Sequence, residues 1–107
     1  MIERGSIYTA AAKGPYTSKP RPVIVIQNQK VLFDSIVVIP TTTSWIDAPW
    51  IRIAIDPTDE NGLNERTYAM SDKIVTFPKA NLGKKIGELD EGHMRLLELA
   101  IREVLGL

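Results

Sequence analysis

Two continuous β-branched runs, Pro22-Val-Ile-Val-Ile-Gln27 and Ser35-Ile-Val-Val-Ile39, constrain this chain more than any other feature. Each is short and bounded by turn residues, and neither alternates polar with apolar. Both therefore read as central strands covered on both faces. Pro22 can open its strand without losing a needed ladder bond, and Pro40 is expected to close the other. Around this pair, Gly5–Thr9 reads as a first strand with Ile7 and Tyr8 in opposite phase. Trp50-Ile-Arg-Ile-Ala-Ile55 sets Ile51, Ile53 and Ile55 against Trp50, Arg52 and Ala54, a period of two. A further strand is predicted from Thr67 to Met70 and on through Lys73 to Phe77, and a short edge strand from Lys85 to Glu88. Ala10–Pro20 and Asp56–Asn64, rich in Gly, Pro, Ser, Asp and Asn, are loop and turn, and Pro78–Leu82 is a short turn of helix.

The spacing predicts one helix, at the C-terminal end. Asp90 is a suitable N-cap and Glu91 adds negative charge to the first turn. Met94, Leu97, Ile101, Val104 and Leu105 recur on one stripe, and Gly106 is the stop. Many short strands and one helix in 107 residues fit a single domain, residues 1–107, mainly β with a C-terminal helix. A small SH3-like barrel is expected rather than a doubly wound sheet.

Composition removes several classes of chemistry. There is no cysteine, so no disulfide framework, thiolate metal site or cysteine nucleophile. His93 is the single histidine, which excludes paired-histidine catalysis and argues against a protein-held metal. It is expected to be exposed at the helix start. No cofactor motif is present. No apolar run approaches the roughly 20 residues needed to span a bilayer, and Met-Ile-Glu-Arg-Gly-Ser lacks the pattern of a signal peptide. Cytoplasmic residence, with no membrane partner, is the expectation.

The zero net charge conceals blocks. Arg4–Lys30 holds five cations and no acid, and Asp47–Glu65 five acids against Arg52 alone. Arg66–Lys85 holds five cations against Asp72, and Ile86–Leu107 five acids against Arg95 and Arg102. Brought together, the basic stretches would make a positive face suited to nucleic acid; kept apart, they are ordinary solvated charge.

Two constellations can carry chemistry. Lys19-Pro20-Arg21-Pro22 joins a basic loop to a buried strand, so Arg21 is presented by a rigid element. Its planar fork of donors matches a phosphate, and it fits a surface ion pair as well. Pro40-Thr-Thr-Thr-Ser44 ends the other central strand, where Thr42, Thr43 and Ser44 can donate to phosphate oxygens or simply build a turn.

These residues resemble a known family, the MazF/PemK toxins of bacterial toxin–antitoxin systems. Glu3-Arg4-Gly5-Ser6-Ile7-Tyr8 is similar to the family's first strand, and Arg21-Pro-Val-Ile-Val-Ile-Gln-Asn28 to its most characteristic block. Val37-Val-Ile-Pro-Thr-Thr-Thr-Ser44, Ser71-Asp-Lys-Ile-Val-Thr76 and Lys85-Ile-Gly-Glu-Leu89 with the following helix resemble the later blocks, in the right order.

The resemblance implies a homodimeric, metal-independent endoribonuclease that cuts single-stranded RNA, needs no cofactor and is silenced by a cognate antitoxin. Arg21 then falls on the catalytic arginine and Thr42 on the catalytic threonine. Asn28 falls on an RNA-contacting position and Asp72 on one implicated in some members. Lys19, Thr43, Ser44 and Lys73 complete the expected RNA contacts. The chain departs from the family in two places. Gly14-Pro-Tyr-Thr-Ser-Lys19 lacks the usual acid, and Met70 stands where some members have a second arginine.

Attack by a ribose 2′-hydroxyl needs its proton removed, charge on phosphorus stabilised and the 5′-oxygen protonated. Arg21 can supply the second, typically worth about 2.7–4 kcal/mol; no residue is assigned as the base. Trp45 and Trp50 can stack bases or pack. Two alternatives of other classes are a CcdB-like gyrase poison and a barrel that binds nucleic acid without cutting it. The former uses a tryptophan near its C-terminus, and here no aromatic follows Phe77.

Overall fold

The two β-branched runs form the middle of an antiparallel sheet in the computed structural model, which describes residues 2–10 and 20–107. The strands are β1 (Ser6–Ala10), β2 (Arg21–Val25), β3 (Ser35–Thr42), β4 (Arg52–Ile55), β5 (Thr67–Met70), β6 (Val75–Pro78) and β7 (Leu82–Glu88). The helix α1 spans Glu91–Leu105. Strand order is β4-β5-β3-β2-β1-β7, with β6 paired to β3.

Register explains the burial. Ile7 pairs with Ile24 and Ile24 with Ile39, placing three nearly inaccessible isoleucines in one row. They face Met94, Leu97 and Ala100 of α1 together with Ile53, Ile55, Leu63 and Ala69. Val23, Val25, Ile36 and Val38 point the other way, into a second cluster covered by Tyr8, Val75, Phe77 and Leu82. The central strands are thus buried on both faces, as their composition predicts. Each buried isoleucine contributes about 1.5–3 kcal/mol relative to exposure.

The sheet is not closed into a complete barrel: β4 and β7 end the strand order without pairing. The buried stripe of α1 packs against β4 and the core instead, so side chains cover the gap that strand pairing would close. Asp90 caps the helix by accepting from the backbone N–H of His93 at 3.1 Å, and Gly106 ends it in the left-handed conformation at φ 70°.

Several boundaries differ from expectation. β3 continues through Pro40 to Thr42, because its outer edge pairs with β6 up to Val38 and with β5 from Thr41. Pro40 lies at that changeover, where its missing N–H costs no ladder bond. β4 begins at Arg52 rather than Trp50, since the N–H groups of Ile51 and Arg52 close a turn onto the carbonyl of Ala48. A 3-10 turn, Ser71–Lys73, divides β5 from β6, so the two pair with different parts of β3. The short helical turn after β6 falls at Lys79–Asn81 as predicted, and β7 begins earlier than expected, at Leu82.

Candidate active site

The C-terminal end of β3 lies beside the N-terminal end of β2, which brings the two constellations together. Proline at position 22 has no N–H, and the ladder between these strands runs only from Val23–Pro40 to Val25–Val38. A side chain extends it: the buried Thr41 donates its hydroxyl to the Pro22 carbonyl at 2.6 Å. That bond fixes Thr42 next to Arg21. The Thr42 hydroxyl oxygen accepts from the Ser44 N–H at 3.1 Å, so its own hydrogen remains available for an acceptor.

Arg21, Pro22 and Thr41–Thr43 form one wall of a pocket of about 120 Å³. Leu63, Asn64 and Glu65, from the β4–β5 connection, and Thr67, the first residue of β5, form the other. Asn61, 2% exposed, holds this second wall. Its side chain accepts from the N–H groups of Thr58 and Leu63, both at 3.0 Å, and donates to the Asp56 carbonyl at 2.9 Å. Gly62 follows at φ 68°, where any Cβ would collide with the Ile86 carbonyl. Thr67 donates to the Glu65 carbonyl at 2.8 Å, fixing the strand entry.

Among the described residues, Arg21 has no carboxylate at ion-pair distance. Three other cations of the basic blocks are paired: Arg4 with Glu98 at 2.8 Å, Arg66 with Asp56 at 2.9 Å and Lys85 with Glu88 at 2.9 Å. The surface ion pair that Arg21 could have made is therefore absent among the described residues. Its guanidinium stands at a pocket of hydroxyl donors. The same sheet brings the basic blocks alongside one another, since Ala10 pairs with both Arg21 and Leu82.

Asn28, Ser44, Asp72 and Lys73, also expected to contact RNA, do not line this pocket. Asn28 builds a turn, its side chain accepting from the Lys30 N–H at 2.9 Å. Asp72 receives both Nε and Nη2 of Arg52, at 2.7 and 3.1 Å. That contact lowers the Asp72 carboxyl below its ordinary range and raises the Arg52 guanidinium. Lys73 is exposed beside it, Ser44 is exposed beyond Thr43, and Lys19 lies outside the described residues. Trp45 and Trp50 are 65% and 62% exposed, so neither is a core residue of this chain. His93 is half-buried, its Nδ1 at 2.6 Å from the Asp90 carboxylate, which ties it into the helix cap. No three His, Asp or Glu side chains converge among the described residues.

Sequence reasoning missed Glu65 and Arg52. Glu65 closes the acidic block Asp47–Glu65, one residue past the predicted Asp56–Asn64 turn, and Arg52 is a polar interruption in an alternating strand. The Asn61-Gly62 dipeptide was the available signal that this turn is tightly specified.

The fold is thus a small open β-sheet with a covering helix, and it presents an arginine, unpaired among the described residues, beside threonine hydroxyls. The profile of the PemK-like, MazF-like toxins of type II toxin–antitoxin systems matches residues 3–105, and the chain belongs to that family. It is 45% identical over 109 aligned residues to a probable endoribonuclease MazF of Mycolicibacterium smegmatis, covering 99% of this chain and 98% of that one. An endoribonuclease from mycobacterial species, solved in complex with its cognate antitoxin, superposes with a TM-score of 0.81 at 26% identity, over all of this chain and 97% of that one. Toxin MazF-mt6 of Mycobacterium tuberculosis gives the same TM-score and identity over 95% and 97%.

Proposed function

We propose that this toxin is an endoribonuclease that cuts single-stranded RNA at the pocket between Arg21, Thr42 and Glu65. The observation that carries the reading is the convergence of an arginine lacking a described ion-pair partner with the Thr42 and Thr43 hydroxyls. Arg21 stabilises negative charge developing on the phosphoryl oxygens, and its fork can bridge two of them. Thr42 donates its free hydrogen to a nonbridging oxygen. The 2′-hydroxyl of the preceding ribose is the nucleophile, which fits recognition of RNA over DNA.

Beyond the pocket, Lys73, Ser44 and Asn28 supply further contacts to the strand, and the exposed indoles of Trp45 and Trp50 stack unpaired bases. Asp72 takes part through the guanidinium it orients. Exposed apolar side chains such as Leu32 and Phe33, 69% and 68% accessible, suit burial between two copies, so the working form is a homodimer. The cognate antitoxin silences the site with an acidic segment that competes for the same cations. Among the described residues no helix is long and apolar enough to cross a membrane. With RNA as substrate and no membrane partner, we place the protein in the cytoplasm.

The experiment is cleavage of single-stranded RNA by purified protein in excess EDTA. The upstream product should end in a 2′,3′-cyclic phosphate or its hydrolysis product. Deoxyribose at the cut site should abolish cleavage and spare binding. Gyrase trapping without RNA cleavage would transfer the case to the poison reading, and binding without cleavage to the passive barrel.

A further inference from the structure

Cleavage at this pocket needs a group that takes the 2′-hydroxyl proton, and neither Arg21 nor the threonines is suited to it. Arginine has no acceptor and stays protonated, and a neutral hydroxyl is a poor base. Segment 11–19, which leads toward Arg21, contains no Asp, Glu or His at all. His93 is engaged with Asp90 at the start of α1, outside the pocket lining.

The geometry points to Glu65 as the general base, an inference that rests on the endoribonuclease reading above. Among the described residues it is the one carboxylate lining the pocket. It also has no ion-pair partner among them, whereas Asp56 and Asp72 are held by Arg66 and Arg52. Its side chain is exposed, and the backbone that carries it is held on both sides. The Asn61 network fixes the chain before it, and its own carbonyl accepts from Thr67 just after it. Glu65 borders the same pocket as Arg21 and Thr42, so a base for the nucleophile and a cation for the phosphate share one space.

In the step itself, the Glu65 carboxylate takes the proton from the 2′-oxygen. That oxygen forms a bond to phosphorus, and the bond from phosphorus to the 5′-oxygen breaks. The departing 5′-oxygen takes a proton from water, and Glu65 returns its own to solvent. The products are a 2′,3′-cyclic phosphate and a free 5′-hydroxyl, with no oxidant or further reactant.

The test compares wild type, Glu65→Gln and Glu65→Asp for single-turnover cleavage of one RNA between pH 4 and 9. Binding of the matching strand with deoxyribose at the cut site is measured in parallel, and thermal unfolding checks the fold. Wild-type rate should fall at the acidic end of this range. Glu65→Gln should cut about 10²–10⁴-fold more slowly and lose that acidic limb. Its binding should be equal or tighter, because a negative charge near the phosphate has gone. Glu65→Asp should recover part of the rate and restore the limb. A Glu65→Gln enzyme with wild-type rate and pH profile would overturn the assignment while leaving the ribonuclease reading intact. A wild type that cuts no RNA would overturn both.

Discussion

Arg52 sits directly opposite Met70 across the β4–β5 ladder, yet its guanidinium reaches past it to grip both oxygens of Asp72, at 2.7 and 3.1 Å. The bond ties β4 to the 3-10 turn that redirects the chain into β6. The Arg52 side chain is 11% exposed and that of Asp72 36%, so the pair is neither free in solvent nor fully desolvated.

Breaking this brace should be measurable. Asp72→Asn is expected to lower stability by on the order of 1 kcal/mol at neutral pH, read by urea unfolding. The Asp72 carboxyl is held below its ordinary range by the Arg52 hydrogen bonds. Its contribution is therefore complete above the unfolded-state value and disappears as pH falls through the lower folded value. The gap between wild type and Asp72→Asn should shrink in that acid window. A gap that persists there would mean that the ion pair is not its source.

Arg21 and Thr42 differ in what they offer a phosphate, and their variants should differ accordingly. Arg21→Ala is expected to cut about two to three orders of magnitude more slowly, the usual loss of one transition-state donor. Arg21→Lys should recover only part, since a point charge lacks the planar fork. Thr42→Ala should cost less, because a neutral donor is weaker than a charged one. Near-wild-type cleavage by Arg21→Ala would remove the basis of the mechanism.

How much of this was legible in the chain depends on the range of the interaction. The β-branched runs and the α1 stripe carry local periodicity that only one packing satisfies, so β2, β3 and the helix were readable. Arg21 and Thr42 stood at the ends of those same strands and could be found with them. Glu65 could not, because its nearness to Arg21 follows from the Asn61 network and the β3–β5 pairing rather than from any spacing in sequence. Arg52 was read as a polar interruption for the same reason, its partner Asp72 being 20 residues away. The passage of β3 through Pro40 depended on two different neighbours, β6 and β5, meeting at that residue.

Thr41 holds the site together from beneath. Thr41→Val keeps the shape and removes the 2.6 Å hydrogen bond to the Pro22 carbonyl. The carbonyl then loses its partner in a partly buried setting, at a cost of about 1–3 kcal/mol. Cleavage should fall as well, with RNA binding less affected, because the hydroxyl wall shifts against Arg21. Thermal unfolding and single-turnover kinetics on the same preparation check both halves. Loss of stability with full activity would mean that Thr41 does not position the site.

Trp45 and Trp50 separate binding from chemistry. Each indole is more than half exposed and lies in the connection that leaves Thr42 and Thr43, outside the pocket lined by Arg21 and Thr42. Stacking a base on an exposed indole is worth about 1–3 kcal/mol, so Trp45→Ala or Trp50→Ala should weaken RNA binding by roughly 5- to 150-fold. The rate at saturating RNA should stay near wild type, since neither ring touches the phosphate. Fluorescence quenching by a short deoxyribose-blocked strand reports stacking directly, and single-turnover kinetics reports the rate. Were both variants to bind RNA as wild type does, the indoles would instead belong to the contact between toxin copies, and sedimentation should show weakened self-association.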